Sequence, residues 1–160
     1  MSVEIINGKN TGSGLSAPLK VLNEFYAGFN DRDVARCMEN WANTDDVIMC
    51  NPIGGMRKGW NTIAQGYQRI MQGNTRVYVE LYDYQLSKCE DMFFVVGRER
   101  GYAQHNIEDS TGDKEQCLEL AIRTSRVFQK LNGIWRQVHH HGSIDEPSLL
   151  NQYQTFINRR

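Results

Sequence analysis

The chain has 160 residues, with 18 lysine and arginine against 19 aspartate and glutamate side chains, so its net charge is −1. A chain of this length is expected to form one domain with a sizeable core. The balanced charge gives no long-range field for nucleic acid, and the apolar stretches are strand-sized, too short to span a membrane. We therefore expect neither nucleic acid nor a membrane as a partner.

The cysteine pattern argues against a zinc knuckle or a disulfide framework. Cys37, Cys50, Cys89 and Cys117 are widely spaced, and no Cys-x-x-Cys occurs. The N-terminus also lacks the basic-then-apolar layout of a signal peptide. We expect a cytoplasmic protein with reduced thiols and without a cofactor.

The chain begins with a segment poor in apolar anchors. Residues 1–16 contain Asn-Gly and Thr-Gly-Ser-Gly, which predict a flexible N-terminal arm. Ser16 then caps a first helix with Pro18 in its first turn. Asp33 caps a second helix, and a third runs over about 59–71, with apolar residues at helical spacing.

After Gly73 the apolar period changes from helical to two, which is typical of strands. Asn132-Gly133 supplies the positive φ angles of a tight hairpin. Helices followed by long antiparallel strands predict an α+β fold over 17–144, with three helices packed on a curved sheet, and a tail at 145–160 that forms a short helix. The predicted strands are 46–51, 77–84, 92–104, 116–130 and 134–143.

Three patches of sequence, in this order, resemble known families. Residues 29–33 resemble the break between the first two helices of the nuclear transport factor 2-like superfamily, and 51–54 resemble a ketosteroid isomerase segment. Residues 135–143 resemble the end of SnoaL-like and calcium/calmodulin-dependent kinase II association domains. The resemblance implies a cone-like fold that encloses a pocket, but not the function, because this superfamily includes enzymes, ligand binders and assembly modules.

The ketosteroid isomerase machinery implied by the resemblance is not matched. The position of the carboxylate base is Asn51, and an amide cannot accept a proton near neutral pH. The tyrosine position falls on Phe25, with Tyr26 next to it, and the carboxylic acid position falls at about Arg126. Steroid isomerisation is therefore disfavoured, and no catalytic residue is assigned.

Arg126 and Glu99 are the charged candidates for the pocket. Strand alternation places Arg126 on one face with Thr124 and Phe128. The resemblance of residues 125–128 to a strand of association domains implies that Arg126 lies at the base of the pocket, where it favours a carboxylate ligand. The alternative is a solvated or salt-bridged strand arginine. Glu99 is a partner for Arg126, a base with a raised pKa, or a residue at an exposed strand end paired with a neighbouring arginine. We favour the last of these for Glu99.

The triplet 139–141 suggests either a metal or a ligand contact. Two histidines at i, i+2 can ligate zinc, but no Cys/His/Asp cluster suggests a third ligand, so we expect no metal. By resemblance, Val138, His140 and Gly142 face the pocket, which makes His140 the candidate for ligand contact or proton transfer.

Aromatic residues complete the candidates. Trp60 and Tyr67 lie on the helix that forms one lip of the cone, and at such spacing they are more often core residues than ligand contacts. On the outer sheet face, we expect Tyr78, Tyr82 and Tyr84, with Phe94 and Val96, to form the interface of a homodimer or larger homo-oligomer.

We therefore expect a SnoaL-like pocket that binds a small molecule, an organic acid or a carbonyl compound. Activity, if present, would be isomerase, hydratase or other proton transfer without a metal. The alternative is a noncatalytic oligomerisation module. The expected ligand contacts are Tyr26, Asn51, Trp60, Tyr67, Glu99, Arg126 and His140.

Overall fold

The computed structural model describes residues 5–10, 14–105, 116–148, 151–152 and 155. Three helices come first, α1 (Ala17–Asn30), α2 (Val34–Asn40) and α3 (Trp60–Gln72). The strands are β1 (Ile48–Cys50), β2 (Arg57–Lys58), β3 (Thr75–Lys88), β4 (Met92–His105), β5 (Gln116–Leu131) and β6 (Ile134–Ile144). The short strand β2 was not predicted from the sequence.

The strands form one sheet in the order β2-β1-β6-β5-β4-β3. The long strands pair antiparallel, whereas β1 pairs parallel with β6. The sheet curls around the helices, so its inner face and the apolar faces of α1 and α3 share one core. The predicted α+β cone is confirmed.

The local signals explain where elements begin and turn. Pro18 lies in the first turn of α1, although the Ser16 side chain makes no capping hydrogen bond. The Asp33 side chain accepts a hydrogen bond from the backbone nitrogen of Arg36 at the start of α2. Asn132 and Gly133 have φ angles of 51° and 82°, as the β5–β6 hairpin requires.

The N-terminal segment differs from the expected flexible arm over residues 5–10. Ile6 is fully buried, and its backbone exchanges hydrogen bonds of 3.0 and 2.9 Å with Leu81 of β3. Asn30, at the end of α1, donates to the carbonyls of Asn7 and Val79. Buried backbone groups need such partners, so this segment adds a short piece of strand to the edge of the sheet.

A bulge in β3 changes which residues face the core. Asp83 and Tyr84 together lie opposite Gly97, and Asp83 has a φ of 45°. A Cβ on Gly97 would lie 2.5 Å from that of Tyr84, so only glycine fits there. Tyr84 is half-buried and packs against the core, and the expectation that it lies on the outer face with Tyr78 and Tyr82 is wrong.

The C-terminal tail is helical at residues 147, 148, 151, 152 and 155, where the structure describes it. Within the described part of the chain, no helix combines the length and hydropathy needed to cross a membrane. All four cysteines are unpaired.

Candidate functional site

The helices and the curved sheet enclose a cavity of about 380 Å³. A volume in this range suits a small organic ligand. Its walls are largely apolar because both α1 and the inner faces of the strands present aliphatic and aromatic side chains. Wall residues include Phe25, Phe29, Val77, Val79, Leu120 and Ile122.

Arg126 lies at the floor of this cavity with 2% of its surface exposed. Its Nη2 donates to Glu99 Oε1 at 3.0 Å, and its Nη1 donates to Gln137 Oε1 at 3.0 Å. The Phe25 ring covers the guanidinium, with Cζ 4.0 Å from the ring centroid. Arg126 is therefore a buried, paired cation, and the alternative of a solvated strand arginine is wrong.

Glu99 joins this arginine to the first helix. It is 3% exposed, and its Oε1 also accepts a hydrogen bond of 2.5 Å from the Tyr26 hydroxyl. The favoured interpretation of an exposed strand end was wrong, because β4 and β5 continue well beyond Glu99 and keep it under α1. Burial, and then the Glu99 charge, hold the pKa of Tyr26 well above its usual value, so the phenol stays protonated and donates.

Gln137 was missed by the sequence analysis. Gln137 is fully buried, and His140, three positions further along β6, also faces inward. On a regular strand, residues three positions apart would face opposite sides of the sheet. A bulge explains this, because Val127 pairs with His139 while Phe128 pairs with Gln137, leaving Val138 as the extra residue. No local sequence signal marks the bulge, since Val138 fits a regular strand equally well.

His140 lines the cavity and is 5% exposed. Its Nε2 lies 3.2 Å from the Thr124 hydroxyl, while its buried Nδ1 has no partner among the described residues. Burial, and then the charge of Arg126, hold the pKa of His140 well below its usual value. The imidazole is therefore neutral at pH 7.

Asn51 also lines the cavity, immediately after β1. Its carbonyl accepts from the Gly54 nitrogen at 3.0 Å, and Gly54 and Gly55 turn the chain with φ angles of 101° and 79°. Its side-chain Oδ1 is buried and makes no hydrogen bond within the described residues.

The two aromatic candidates of α3 have different environments. Tyr67 lines the cavity and its hydroxyl accepts from Trp41 Nε1 at 3.3 Å. Trp60 lies outside, in a groove between α2 and α3, and donates to the Met38 carbonyl. Of the seven expected contacts, the structure brings Asn51, Tyr67, Glu99, Arg126 and His140 to the cavity, connects Tyr26 through Glu99, and separates Trp60.

Residues 19–146, most of the chain, match the family model of the SnoaL-like domain. The chain belongs to the SnoaL-like family. The predicted resemblance to the nuclear transport factor 2-like superfamily is confirmed by this match and by the structures similar to it.

Two solved structures illustrate the SnoaL-like fold. A proposed dehydratase of the NTF2-like family from Streptomyces avermitilis has a TM-score of 0.69 and 19% identity, over 81% of this chain and 95% of that one. A proposed calcium/calmodulin-dependent protein kinase type II association domain from Thiobacillus denitrificans has a TM-score of 0.64 and 20% identity, over 82% and 98%. At such identities the likeness shows the fold alone.

A curated relative is the F-box protein SKIP8 of Arabidopsis thaliana, which is 23% identical over 128 residues. The match covers 80% of this chain and 49% of the relative. The SnoaL-like chain thus spans about half the length of the curated relative it matches.

In the described ranges, no three His, Cys, Asp or Glu side chains cluster where they could hold a metal ion. The polar floor of the SnoaL-like cavity instead consists of one ion pair and neutral groups.

We expect the buried ion pair to show strong coupling in a double-mutant cycle. Arg126→Met leaves the Glu99 carboxylate buried without a counter-ion, and Glu99→Gln does the same to the guanidinium. Each should lower the free energy of unfolding by about 3 kcal/mol, and the double variant by less than the sum. Urea unfolding measures this.

Arg98→Met is the matched control, since Arg98 and Asp83 are 3.7 Å apart with side chains 56% and 71% exposed. Its cost should stay within about 0.5 kcal/mol. Additive single effects at Glu99 and Arg126 would contradict the paired arrangement.

We expect His140 to make stability fall in acid. Because the folded-state pKa of His140 lies below its ordinary value of 6.5, the unfolded chain binds a proton first as the pH drops. Stability is therefore present above pH 6.5 and is lost from there down to the folded-state pKa, with a slope of at most about 1.4 kcal/mol per pH unit.

Urea unfolding between pH 5 and pH 7.5 should show this slope reduced in His140→Asn. The control His141→Asn changes an exposed neighbour on the same strand. An unchanged slope in His140→Asn would show that this imidazole is not buried in its neutral form.

Proposed function

We propose that the SnoaL-like chain binds a small, uncharged organic molecule in its central cavity. The supporting observation is a largely apolar cavity that also has buried polar side chains in its lining. Among the described residues, Asn51 Oδ1 and His140 Nδ1 make no hydrogen bond. A buried polar atom without a hydrogen-bond partner lowers the stability of the protein. A ligand that supplies the missing partner removes this cost, and this contributes to its binding free energy.

The arrangement favours a neutral ligand over the organic acid considered from the sequence. Both Nη atoms of Arg126 already donate to Glu99 and Gln137. A carboxylate ligand beside this arginine would share it with the Glu99 charge, and like charges repel in a site of low dielectric. An uncharged hydroxy or carbonyl compound avoids this cost.

If the site is catalytic, we propose proton transfer, as in an isomerisation or the removal of water. His140 is the candidate proton acceptor, because its imidazole is neutral and its Nδ1 has no partner among the described residues. Glu99 is less suited, since its carboxylate forms the buried ion pair with Arg126. Steroid isomerisation stays disfavoured, because Asn51 replaces the required carboxylate.

The cavity also bears on the alternative of a noncatalytic association module. Open space in a core forfeits packing interactions, and a protein that serves assembly alone gains nothing from it. We therefore propose ligand binding as the function of the cavity and assembly as a property of another surface. We also propose a cytoplasmic location, which the unpaired cysteines support.

We expect an obstructed cavity to lose ligand binding. Ala103 lines the cavity on β4, and Ala103→Phe would fill part of it. Indane, an apolar bicyclic probe, should raise the melting temperature of the wild type but not of this variant. Ala121→Phe, at an exposed position on β5, should respond like the wild type. Equal responses in all three proteins would contradict binding in the cavity.

We further propose a homodimer or larger homo-oligomer through the outer sheet face. Phe94 and Val96 are 43% and 50% exposed there, and the Tyr78 and Tyr102 rings stack on the same sheet at 5.5 Å. Exposed apolar patches of this kind commonly mark interfaces.

Sedimentation velocity should show an oligomer for the wild type and a monomer for the double variant Phe94→Asp/Val96→Asp. The control Met56→Asp changes an exposed apolar residue beside β2, at the other edge of the sheet from β3 and β4, and should assemble normally. A wild-type monomer at all concentrations would refute this interface.

A further inference from the structure

The apolar inner face of β5 continues from the cavity toward solvent. Leu118, Leu120 and Ile122 point to the same side of this strand, and their exposed fraction falls from 64% at Leu118 to 5% at Ile122. Leu120 and Ile122 line the cavity, and Leu118 follows about 7 Å further along the strand. This row of side chains therefore leads from solvent into the cavity.

Ile144 and Ile53 connect the cavity wall with solvent beside this row. Ile144 of β6 pairs with Ile122 and lines the cavity, yet it is 43% exposed. Ile53, in the turn after β1, also lines the cavity and is 77% exposed. A Cβ on Gly142 would lie 2.9 Å from the Pro52 ring, so the segment that carries Ile53 reaches the end of β6 that carries Ile144.

We call Ile53, Leu118 and Ile144 the rim, since each belongs to the cavity wall or adjoins it and also meets solvent. Leu118 adjoins the wall through Ala103, its partner on β4, which lines the cavity. Removing exposed aliphatic surface from water is favourable, so the rim attracts an apolar group. It extends the apolar character of the cavity past its mouth.

The size and surroundings of the rim favour a chain over a protein or a membrane as its occupant. A stable protein interface buries about 800 Å² on each partner, more than three aliphatic side chains provide. Glu119 follows Leu118 in the sequence, and Asp145 and Glu146 follow Ile144. Carboxylates at these positions repel the anionic headgroups of a membrane surface. Continuity with the cavity favours an occupant that also fills the cavity.

We infer that the ligand is an elongated, uncharged molecule, with one end in the cavity and an aliphatic chain that leaves it across the rim. This inference rests on the proposed function and deepens it by naming the ligand class. The chain covers the exposed apolar side chains of the rim, and the rim covers one side of the chain. Both changes remove apolar surface from water.

A series of 4-alkylphenols with growing chains separates the cavity from the rim. The probes are 4-ethylphenol, which is about the size of indane, and the butyl, hexyl and octyl homologues. Calorimetric titration of the wild type should show affinity that rises along the whole series. From hexyl to octyl we expect about a fourfold gain, half the logarithmic effect of fully burying two methylenes, because the rim covers one side of the chain.

Leu118→Ser removes one rim side chain that is not part of the cavity wall. It should bind 4-ethylphenol as the wild type does, while its gain from hexyl to octyl falls to about twofold or less. Leu131→Ser is the matched control, since it changes an exposed leucine at the other end of β5 and should keep the full gain. Circular dichroism and melting temperatures establish that both variants are folded. Ile53→Ser, in the turn after β1, repeats the long-chain test if Leu118→Ser does not fold.

The outcomes separate this inference from the proposed function. If wild-type affinity stops rising at the butyl homologue, or if only indane binds, the elongated-ligand inference is overturned while binding in the cavity stands. It is also overturned if Leu118→Ser keeps the full gain, or if Leu131→Ser loses as much, since the rim then serves another occupant, such as a second copy or a lipid surface. If neither indane nor any alkylphenol binds, the proposed function itself fails.

Discussion

The ion pair between Glu99 and Arg126 constrains most of this structure. It joins β4 to β5, and its hydrogen bonds extend to α1 through Tyr26 and to β6 through Gln137. A buried charge is tolerated only when its partner and its remaining hydrogen bonds are in place, so four elements must adopt one relative arrangement. The cavity is the space left above this network, which explains why its floor is polar and its walls are not.

The two bulges determine which residues reach that space. In β3 the extra residue turns Tyr84 toward the core beside Gly97, and in β6 the extra residue lets both Gln137 and His140 point inward. A regular β3 would turn Tyr84 outward, and a regular β6 would turn either Gln137 or His140 outward. The inner face therefore combines side chains that regular strands would place on opposite faces of the sheet. Bulges are common beside binding sites.

Much of the fold could be predicted from the sequence because its signals are local. Asp33, Pro18 and Asn132-Gly133 mark helix starts and a hairpin through their own chemistry. Strand alternation grouped Arg126 with Thr124 and Phe128, whereas the inward position of His140 was implied by the family resemblance. Gln137 could not be predicted, since a bulge depends on register between strands. The pairing of Glu99 was also misjudged, because the length of the neighbouring strands decides its burial.

The extra residue in β6 also affects how roles can be compared between relatives. In a relative with a regular strand here, the residue aligned with Val138 would be paired with β5. The residues on one side of that position along the strand would then face the opposite side of the sheet from their counterparts in this chain. An alignment without a gap at Val138 would then match an outward side chain of one protein to an inward side chain of the other. Transfer of a ligand-contacting role across the family is therefore sound at His140 only when the neighbouring backbone has the same bulge.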